Sequence, residues 1–264
     1  MTAGEPPPLV ALLTDFGRQD GYLAQMKAAL FSHCPEARWL DISHETTAQD
    51  VPGAAFLLAT TALHLPPGTV VLAVVDPGVG GSRRAVAVEA GDRCFVGPDN
   101  GLLWPAVEAL GGGCWVALPT PADASATFHG RDVFAPAAGR LAAGEPLWSL
   151  GSAITDPVEL SLPQPSREPD GWRGEVLYVD RFGNLITNLT PAILGEPAAG
   201  SLVFRIGPCD LCGPQTHYGC VARGQPLALL GSQGYYEIAV REGSAARLLS
   251  AGCGERVLVR HKQR

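Results

Sequence analysis

Lysine is the scarcest charged residue in this sequence, with 2 residues against 17 arginines. Charged residues make up only 17% of the 264 positions, and the acidic ones prevail, giving a net charge of -7. A protein that grips the phosphate backbone of nucleic acid normally carries a basic face. The composition therefore predicts no nucleic-acid partner, and it is compatible with a cationic small ligand.

Long hydrophobic runs are also missing, since no stretch of ~18 apolar residues occurs. Residues 1–8 carry neither the basic start nor the apolar centre of a secretory signal. We therefore expect neither a membrane span nor a signal peptide. The cysteine count of seven is odd, and a chain of this length can build a core without disulfides, so a reduced, cytoplasmic location is expected.

The first half of the chain alternates between strand-like and helix-like patterns. Residues 9–16, 37–42 and 69–75 are apolar runs typical of buried strands. Residues 21–34 and 54–65 have apolar side chains at helical spacing. This β-α-β-α-β order predicts an α/β N-terminal domain with a mostly parallel central sheet that is covered on both faces.

The second half has a different pattern. Short strand-like runs separated by glycine-rich turns recur over residues 175–260, which predicts a small all-β barrel or sandwich. Three prolines and no periodicity mark the stretch between the two halves. The predicted domains are residues 1–163 and 170–264, and the predicted linker is 164–169.

Three carboxylates follow or end the predicted strands of the first half, namely Asp15, Asp41 and Asp76. Ligands of open α/β sheets bind beyond the carboxyl ends of the strands. Each aspartate alone is equally well explained as a cap of the next helix or turn. The similar settings Thr14-Asp15-Phe16-Gly17 and Val75-Asp76-Pro77-Gly78 favour a site.

A glycine-rich segment, residues 78–84, follows the second of these settings. Arg83 occupies the third glycine position of a dinucleotide-binding Gly-x-Gly-x-x-Gly, and a strand rather than a helix is predicted next. The Gly-Lys-Ser/Thr of a phosphate-binding loop is absent as well. We interpret the segment as a tight turn that lets the backbone approach a ligand.

Histidine and cysteine offer two further candidate sites. His129 lies just before Gly130 and a predicted helix at 131–143, where a structural and a catalytic role are equally plausible. Cys209-x-x-Cys212 with His217 and Cys220 has too short a final spacing for a zinc knuckle, and it is interpreted as a hairpin loop without metal.

Polar clusters interrupt the strands of the second half at residues 179–184 and 231–235. A β-turn would explain each cluster alone. Together they supply a carboxylate, an amide, a hydroxyl and an aromatic ring, which suit an amino acid or a nucleobase.

Five segments in this order resemble the S-adenosylmethionine hydrolases (adenosine-forming), also called SAM hydroxide adenosyltransferases. These segments are TDFG followed by Asp20, VVDPGVG followed by Arg83, TFHGRD, VDRFGNLITN and GSQGY. The resemblance extends from about Leu9 to Leu249. It implies an α/β N-terminal domain, a C-terminal β-barrel, no cofactor, and a homotrimer whose active sites lie between the N-domain of one subunit and the C-domain of its neighbour.

The resemblance also implies roles for ten residues. It assigns the catalytic triad to Asp76, Arg83 and His129, and it assigns the ribose hydroxyls to Asp15. The remaining roles concern the two ends of the substrate: the methionine part is held by Asp20, Asp180 and Ser232, and the adenine by Phe182, Asn184 and Tyr218. The implied reaction converts S-adenosyl-L-methionine and water into adenosine and L-methionine.

The fluorinases and chlorinases are related to this family, so halide-dependent adenosyl transfer is the first alternative. Fluorinases resemble this chain less well, since they carry Tyr at the position of Asp76, Ser at that of Gly130, and an extra loop before residues 127–132. A non-catalytic sensor of S-adenosylmethionine or adenosine is the second alternative. A methyltransferase is disfavoured, because no Gly-x-Gly-x-x-Gly opens a helix.

Overall fold

The structure, a computed structural model, describes residues 6–262 and divides into two compact units between Ser161 and Leu162. The predicted linker at 164–169 contains a short strand, Ser166–Glu168, that belongs to the second unit. In the part of the chain that the structure describes, no helix is both long and apolar enough to cross a membrane.

The first unit is built on a mixed sheet of seven strands: β1 Leu9–Thr14, β2 Arg38–Ser43, β3 Val70–Val74, β4 Ala85–Ala90, β5 Arg93–Pro98, β6 Cys114–Leu118 and β7 Ser152–Ile154. Their order in the sheet is β2-β1-β3-β5-β4-β6-β7. Strands β2, β1 and β3 pair in parallel, as predicted, and β5 adds to β3 in parallel as well. The pairings β5-β4, β4-β6 and β6-β7 are antiparallel, so parallel pairing covers only half of the sheet.

Four helices cover the two faces of this sheet: α1 Tyr22–Phe31, α2 Val51–Ala62, α3 Trp104–Ala109 and α4 Ala135–Ala142. Side chains of β1 alternate between two apolar clusters, because successive residues of a strand point to opposite faces. Val10 and Leu12 pack in the cluster that contains Leu30 of α1, whereas Leu13 packs in the cluster that contains Leu58 of α2.

Two helices begin differently from the sequence prediction. Helix α2 starts three residues early, because the Asp50 carboxylate accepts the backbone N–H of Gly53 at 3.0 Å and caps the first turn. The helix predicted over 131–143 opens with a π-helical turn, Gly130–Phe134, that leads directly into α4. Such turns are rare, and they often occur at functional sites.

The second unit is an antiparallel, nearly closed barrel. Its strands are β8 Ser166–Glu168, β9 Gly171–Val179, β10 Leu185–Thr187, β11 Leu202–Ile206, β12 Cys209–Gly213, β13 Pro226–Leu230, β14 Tyr236–Val240 and β15 Arg256–His261. Their order is β12-β11-β15-β9-β10-β14-β13, with β8 added to β9. The end strands β12 and β13 approach each other just after β12, where the Gln215 N–H donates to the Ala228 carbonyl of β13 at 2.7 Å.

The hairpin loop predicted around Cys209 and Cys212 was wrong. Both cysteines lie in β12, which pairs with β11 over five residues from Cys209 to Gly213. Leu211 is buried between them in the barrel core, so burial of this side chain extends the strand through the segment. Within residues 6–262 no group of three or more His, Cys, Asp or Glu side chains is placed to hold a metal ion.

Candidate active site

The first unit carries its polar cluster at the carboxyl ends of β1 and β3. These strands pair in parallel with Thr14 opposite Val74, so their ends lie at the same edge of the sheet. Asp15 directly follows β1, and Asp76 follows β3 by two residues. This is the edge at which open α/β sheets bind ligands.

Asp76 is held by the guanidinium of Arg83. The Nε atom of Arg83 donates to both carboxylate oxygens, at 3.0 and 3.1 Å, and its Nη2 atom also donates to Oδ2. The two side chains are buried, with exposures of 10% for Arg83 and 5% for Asp76. The guanidinium carbon lies 5.1 Å from the centre of the Phe134 ring, so an aromatic face supports the cation.

The glycine-rich turn brings Arg83 back toward Asp76. Gly80 has a φ of +74°, a conformation that favours glycine, and a Cβ atom there would collide with the carbonyl of Ala126. The sequence interpretation expected this backbone to approach a ligand. The structure places the backbone of Ala126 against Gly80, which packs the turn onto the segment that carries His129, and the approach of this turn to a ligand stays a prediction.

His129 completes the cluster. Its Nδ1 atom lies 2.9 Å from Nη2 of Arg83, and the side chain is buried. A guanidinium has only donors, so Nδ1 must accept, and the proton of the neutral ring is on Nε2. Burial and then the Arg83 charge lower the pKa of His129, against the opposing effects of Asp76 and Asp132. The ring is therefore held neutral, with one N–H free to donate.

Aromatic rings join the end of β1 to the His129 segment. Phe128 contacts Phe16 and Tyr22, with ring centres 5.8 and 5.4 Å apart. A Cβ atom at Gly130 would lie 3.2 Å from ring atoms of both Phe16 and Phe128. The absence of a side chain at Gly130 therefore lets these two rings close on the π-helical turn.

Asp15 is oriented by residues that the sequence reasoning missed. Its Oδ2 atom accepts the backbone N–H of Gln49 at 2.9 Å, and Gln49 has a φ of +65°. The buried His44 bonds Thr14 Oγ1 through Nδ1 at 2.8 Å, and its carbonyl accepts the N–H of Gly17. Residues 44–49 thus fix the turn after β1. Asp20 is exposed in the turn before α1.

Asp41 does not join this cluster. It lies inside β2, where it accepts Lys27 Nζ at 2.7 Å and lies 3.2 Å from His44 Nε2. Burial opposes ionisation of Asp41, but the hydrogen bond from Lys27 and the close approach of His44 outweigh it and lower the pKa of the carboxyl. Asp41 is thus a member of a structural ion-pair group.

The second unit has a polar cluster of its own, which begins at the turn between β9 and β10. Oδ1 of Asp180 accepts the backbone N–H groups of Phe182 and Asn184 at 2.9 and 2.8 Å. The Asn184 side-chain amide donates to Oδ2 at 2.9 Å. The turn leaves the Phe182 side chain 75% exposed.

Tyr218 belongs to the same cluster. Its ring is 44% exposed, and its hydroxyl donates to Oε1 of Glu237 on β14 at 2.5 Å. Ser232 lies in the exposed turn that follows β13. The sequence reasoning missed Glu237, although a single acid in an otherwise apolar strand was a visible signal.

Comparison with known proteins identifies the family. The family model described as the SAM hydroxide adenosyltransferase N-terminal domain matches residues 10–151, and the model of the C-terminal domain matches residues 174–258. The chain belongs to the SAM hydroxide adenosyltransferase family. The two matched segments lie in the two structural units described above.

Members and relatives of the SAM hydroxide adenosyltransferase family resemble most of the chain. The (R)-S-adenosyl-L-methionine hydrolase of Salinispora tropica is 43% identical, over 96% of this chain and 98% of its own length. The fluorinase of Actinoplanes sp. is 28% identical, over 88% of this chain and 90% of its own length. The crystal structure of an uncharacterized conserved protein from Thermotoga maritima has a TM-score of 0.87 and 33% identity, covering 95% of this chain and 99% of that one.

The arrangement around His129 predicts a specific titration. His129 should titrate below an ordinary histidine, with the proton of the neutral ring on Nε2. Arg83→Ala should raise the pKa of His129, because a positive charge is removed from the ring's neighbourhood. Long-range proton–nitrogen NMR of labelled imidazoles measures both the tautomer and the titration. A neutral ring protonated on Nδ1 would contradict this geometry.

Proposed function

We propose that this protein hydrolyses S-adenosyl-L-methionine to adenosine and L-methionine. The observation that carries the proposal is the buried hydrogen-bonded cluster of Asp76, Arg83 and His129 at the carboxyl end of β3. The name of the Salinispora tropica relative supports the same reaction, since it is a hydrolase of this substrate.

The leaving group of this reaction needs no proton from the protein. A water oxygen attacks C5′ of the substrate, the C5′–S bond breaks, and its electron pair converts the sulfonium to the neutral thioether of methionine. No acid is needed there, because the departing sulfur gains no net negative charge. The protein has to align the water with the C5′–S bond and to accept one proton.

The hydrogen bonds assign different tasks to the three side chains. Nδ1 of His129 accepts from Arg83, so its Nε2–H is available to hold the water oxygen as a donor. The Asp76 carboxylate is then the group that takes the proton. Arg83 neutralises Asp76 in the absence of substrate, so the cluster does not repel the sulfonium as an unpaired arginine would.

The other residues are assigned to binding. Asp15 suits the two ribose hydroxyls, because a carboxylate accepts both hydrogen bonds. The methionine part is assigned to Asp20, Asp180 and Ser232, and the adenine to Phe182, Asn184 and Tyr218. Two of these adenine-binding side chains, Phe182 and Tyr218, leave large aromatic surfaces exposed in the single chain. Exposed aromatic faces are suited to stacking on a base.

The decisive experiment is a single incubation of the purified protein with S-adenosylmethionine in ¹⁸O-labelled water containing chloride and fluoride. We expect adenosine that carries ¹⁸O at its 5′ oxygen, together with unlabelled methionine. A 5′-halo-5′-deoxyadenosine would instead support the halide-dependent alternative. Binding measured by calorimetry without any product would support the sensor.

Substitutions in the triad should separate turnover from binding. Arg83→Ala, His129→Ala and Asp76→Asn should each lower kcat by roughly 10²–10³ while substrate affinity stays near that of the wild type, because they act on the water. His129→Gln should retain more turnover than His129→Ala, since an amide can still accept from Arg83 and donate to the water. Steady-state kinetics with affinity measured separately provides the test.

Two further variants serve as controls for the triad. Asp15→Ala should raise KM more than it lowers kcat, because it removes ribose contacts. Arg84→Ala removes the neighbouring arginine, which pairs with Asp99 at 2.7 Å and not with the triad, and should leave kcat near the wild-type value. Near-normal kcat in both Arg83→Ala and His129→Ala would overturn the assignment.

We infer a homotrimeric, cytoplasmic enzyme whose sites combine the first unit of one subunit with the second unit of its neighbour. The exposed Phe182 and Tyr218 rings support this inference, as they would be covered by a partner subunit or substrate. The resemblance of the chain to its family implies the same assembly, which adds support to the inference.

Mixed assemblies test this inference. His129→Ala disables the first unit and Asn184→Ala the second, so each pure variant should be nearly inactive at low substrate concentration. Random co-assembly of the two should restore activity at about a quarter of the sites, where two intact halves meet. The check is activity of co-expressed, doubly tagged oligomers. If every site were formed within one chain, the mixture would be no more active than its parents.

A further inference from the structure

Glu237 is a buried acid without a cationic partner among residues 6–262. It is the second residue of β14, opposite Ile186 of β10 on one side and Leu229 of β13 on the other, and it is only 6% exposed. Burial raises the pKa of its carboxyl, and the nearby Asp180 raises it further, against the hydrogen bond from Tyr218. Burying an acid is unfavourable unless a partner compensates for it.

The Tyr218 hydroxyl supplies the compensating hydrogen bond. Its oxygen lies 2.5 Å from Glu237 Oε1, which is the distance of a strong, charge-assisted bond. Tyr218 begins a single 3₁₀ turn, Tyr218–Cys220, and its ring is 44% exposed. Because nearly half of the ring is exposed, few packing contacts are available to fix its rotamer, and the hydrogen bond at its far end favours one orientation.

The same carboxylate also packs against the turn that carries Ser232. A Cβ atom at Gly231 would lie 2.5 Å from Glu237 Oε2, so the carboxylate fills the space beside this glycine. The Gly231 N–H donates to the Tyr235 carbonyl at 2.9 Å, which closes the turn over Glu237. One buried side chain therefore contacts both Tyr218 and the turn before Ser232.

We propose that Glu237 is a positioning residue that fixes the Tyr218 ring for stacking on the adenine. The proposal rests on the proposed function, because Tyr218 is assigned there to the adenine. Glu237 acts through the tyrosine and does not itself contact the substrate. The hydrogen bond of the Tyr218 hydroxyl to Glu237 fixes the ring at its hydroxyl end, and the face of the ring remains open to the base.

Kinetics of single and double variants test the proposal. We call the hydrogen bond between Tyr218 and Glu237 the tether. Glu237→Ala should raise KM for S-adenosylmethionine about tenfold and leave kcat within about twofold, because the variant loses the tether and keeps the triad. Glu237→Gln keeps an acceptor and should recover most of the affinity. Tyr218→Phe should match Glu237→Ala, and adding Glu237→Ala to Tyr218→Phe should cause no further loss. Tyr236→Phe, which removes a neighbouring hydroxyl that lies 3.5 Å from the Gly195 carbonyl, is the matched control.

A spectroscopic measurement makes the test independent of activity. Burial and then the Glu237 carboxylate raise the pKa of the Tyr218 phenol. Glu237→Gln should therefore make one tyrosine ionise at lower pH in an ultraviolet titration, and that change should vanish in the Tyr218→Phe background. An unchanged titration would overturn the tether itself, whatever the enzyme does.

The outcomes also separate this inference from the proposed function. If the wild-type protein does not hydrolyse S-adenosylmethionine but the titration behaves as expected, the function fails and the tether stands. If hydrolysis occurs and Glu237→Ala leaves KM unchanged, positioning is refuted. Losses that multiply in the double variant would also refute it, because they would mean that Glu237 acts on the substrate directly. Circular dichroism of each variant confirms that it is folded before these results are compared.

Discussion

The contact on which the first unit's site depends is the fork of Arg83, which bonds Asp76 on one side and His129 on the other. Both bonds require a planar group with several donors at fixed angles, which lysine cannot supply. The surrounding fold serves this geometry: Gly80 permits the close backbone approach to Ala126, and the Phe134 ring lies under the guanidinium. Arg83 thereby neutralises the charge of Asp76 and at the same time fixes the tautomer of His129.

The pairing also explains how an arginine can lie beside a cationic substrate. Asp76 and Arg83 cancel in net charge, and His129 is held neutral by burial and by the guanidinium. Negative charge for attracting a sulfonium or an ammonium group must then come from elsewhere. In the first unit the exposed Asp20 is available, and in the second unit Asp180 lies close enough to Glu237 to help raise the pKa of that carboxyl.

The sequence predicted the parallel β1-β3 core because buried parallel strands are long apolar runs, and their carboxyl ends necessarily share an edge. It could not exclude Asp41, since only the three-dimensional neighbours Lys27 and His44 reveal that this acid is structural. The triad itself came from resemblance to a family. Glu237 was missed because the alternation of a strand predicts only the face of the sheet on which a side chain lies. It does not predict that Tyr218, which lies 19 residues earlier in the sequence, donates a hydrogen bond to that side chain.

The first unit therefore supplies the water chemistry of the proposed reaction together with the binding residues Asp15 and Asp20, and the second unit contributes to binding alone. The first unit holds a neutral, rigid cluster whose bonds act on a water molecule, where small displacements affect the rate strongly. The second unit holds aromatic and acidic groups whose bonds, such as that between Tyr218 and Glu237, orient a surface for binding. A chain with this division can change its binding surface through barrel turns without disturbing the guanidinium fork, because the fork is built entirely from residues of the first unit.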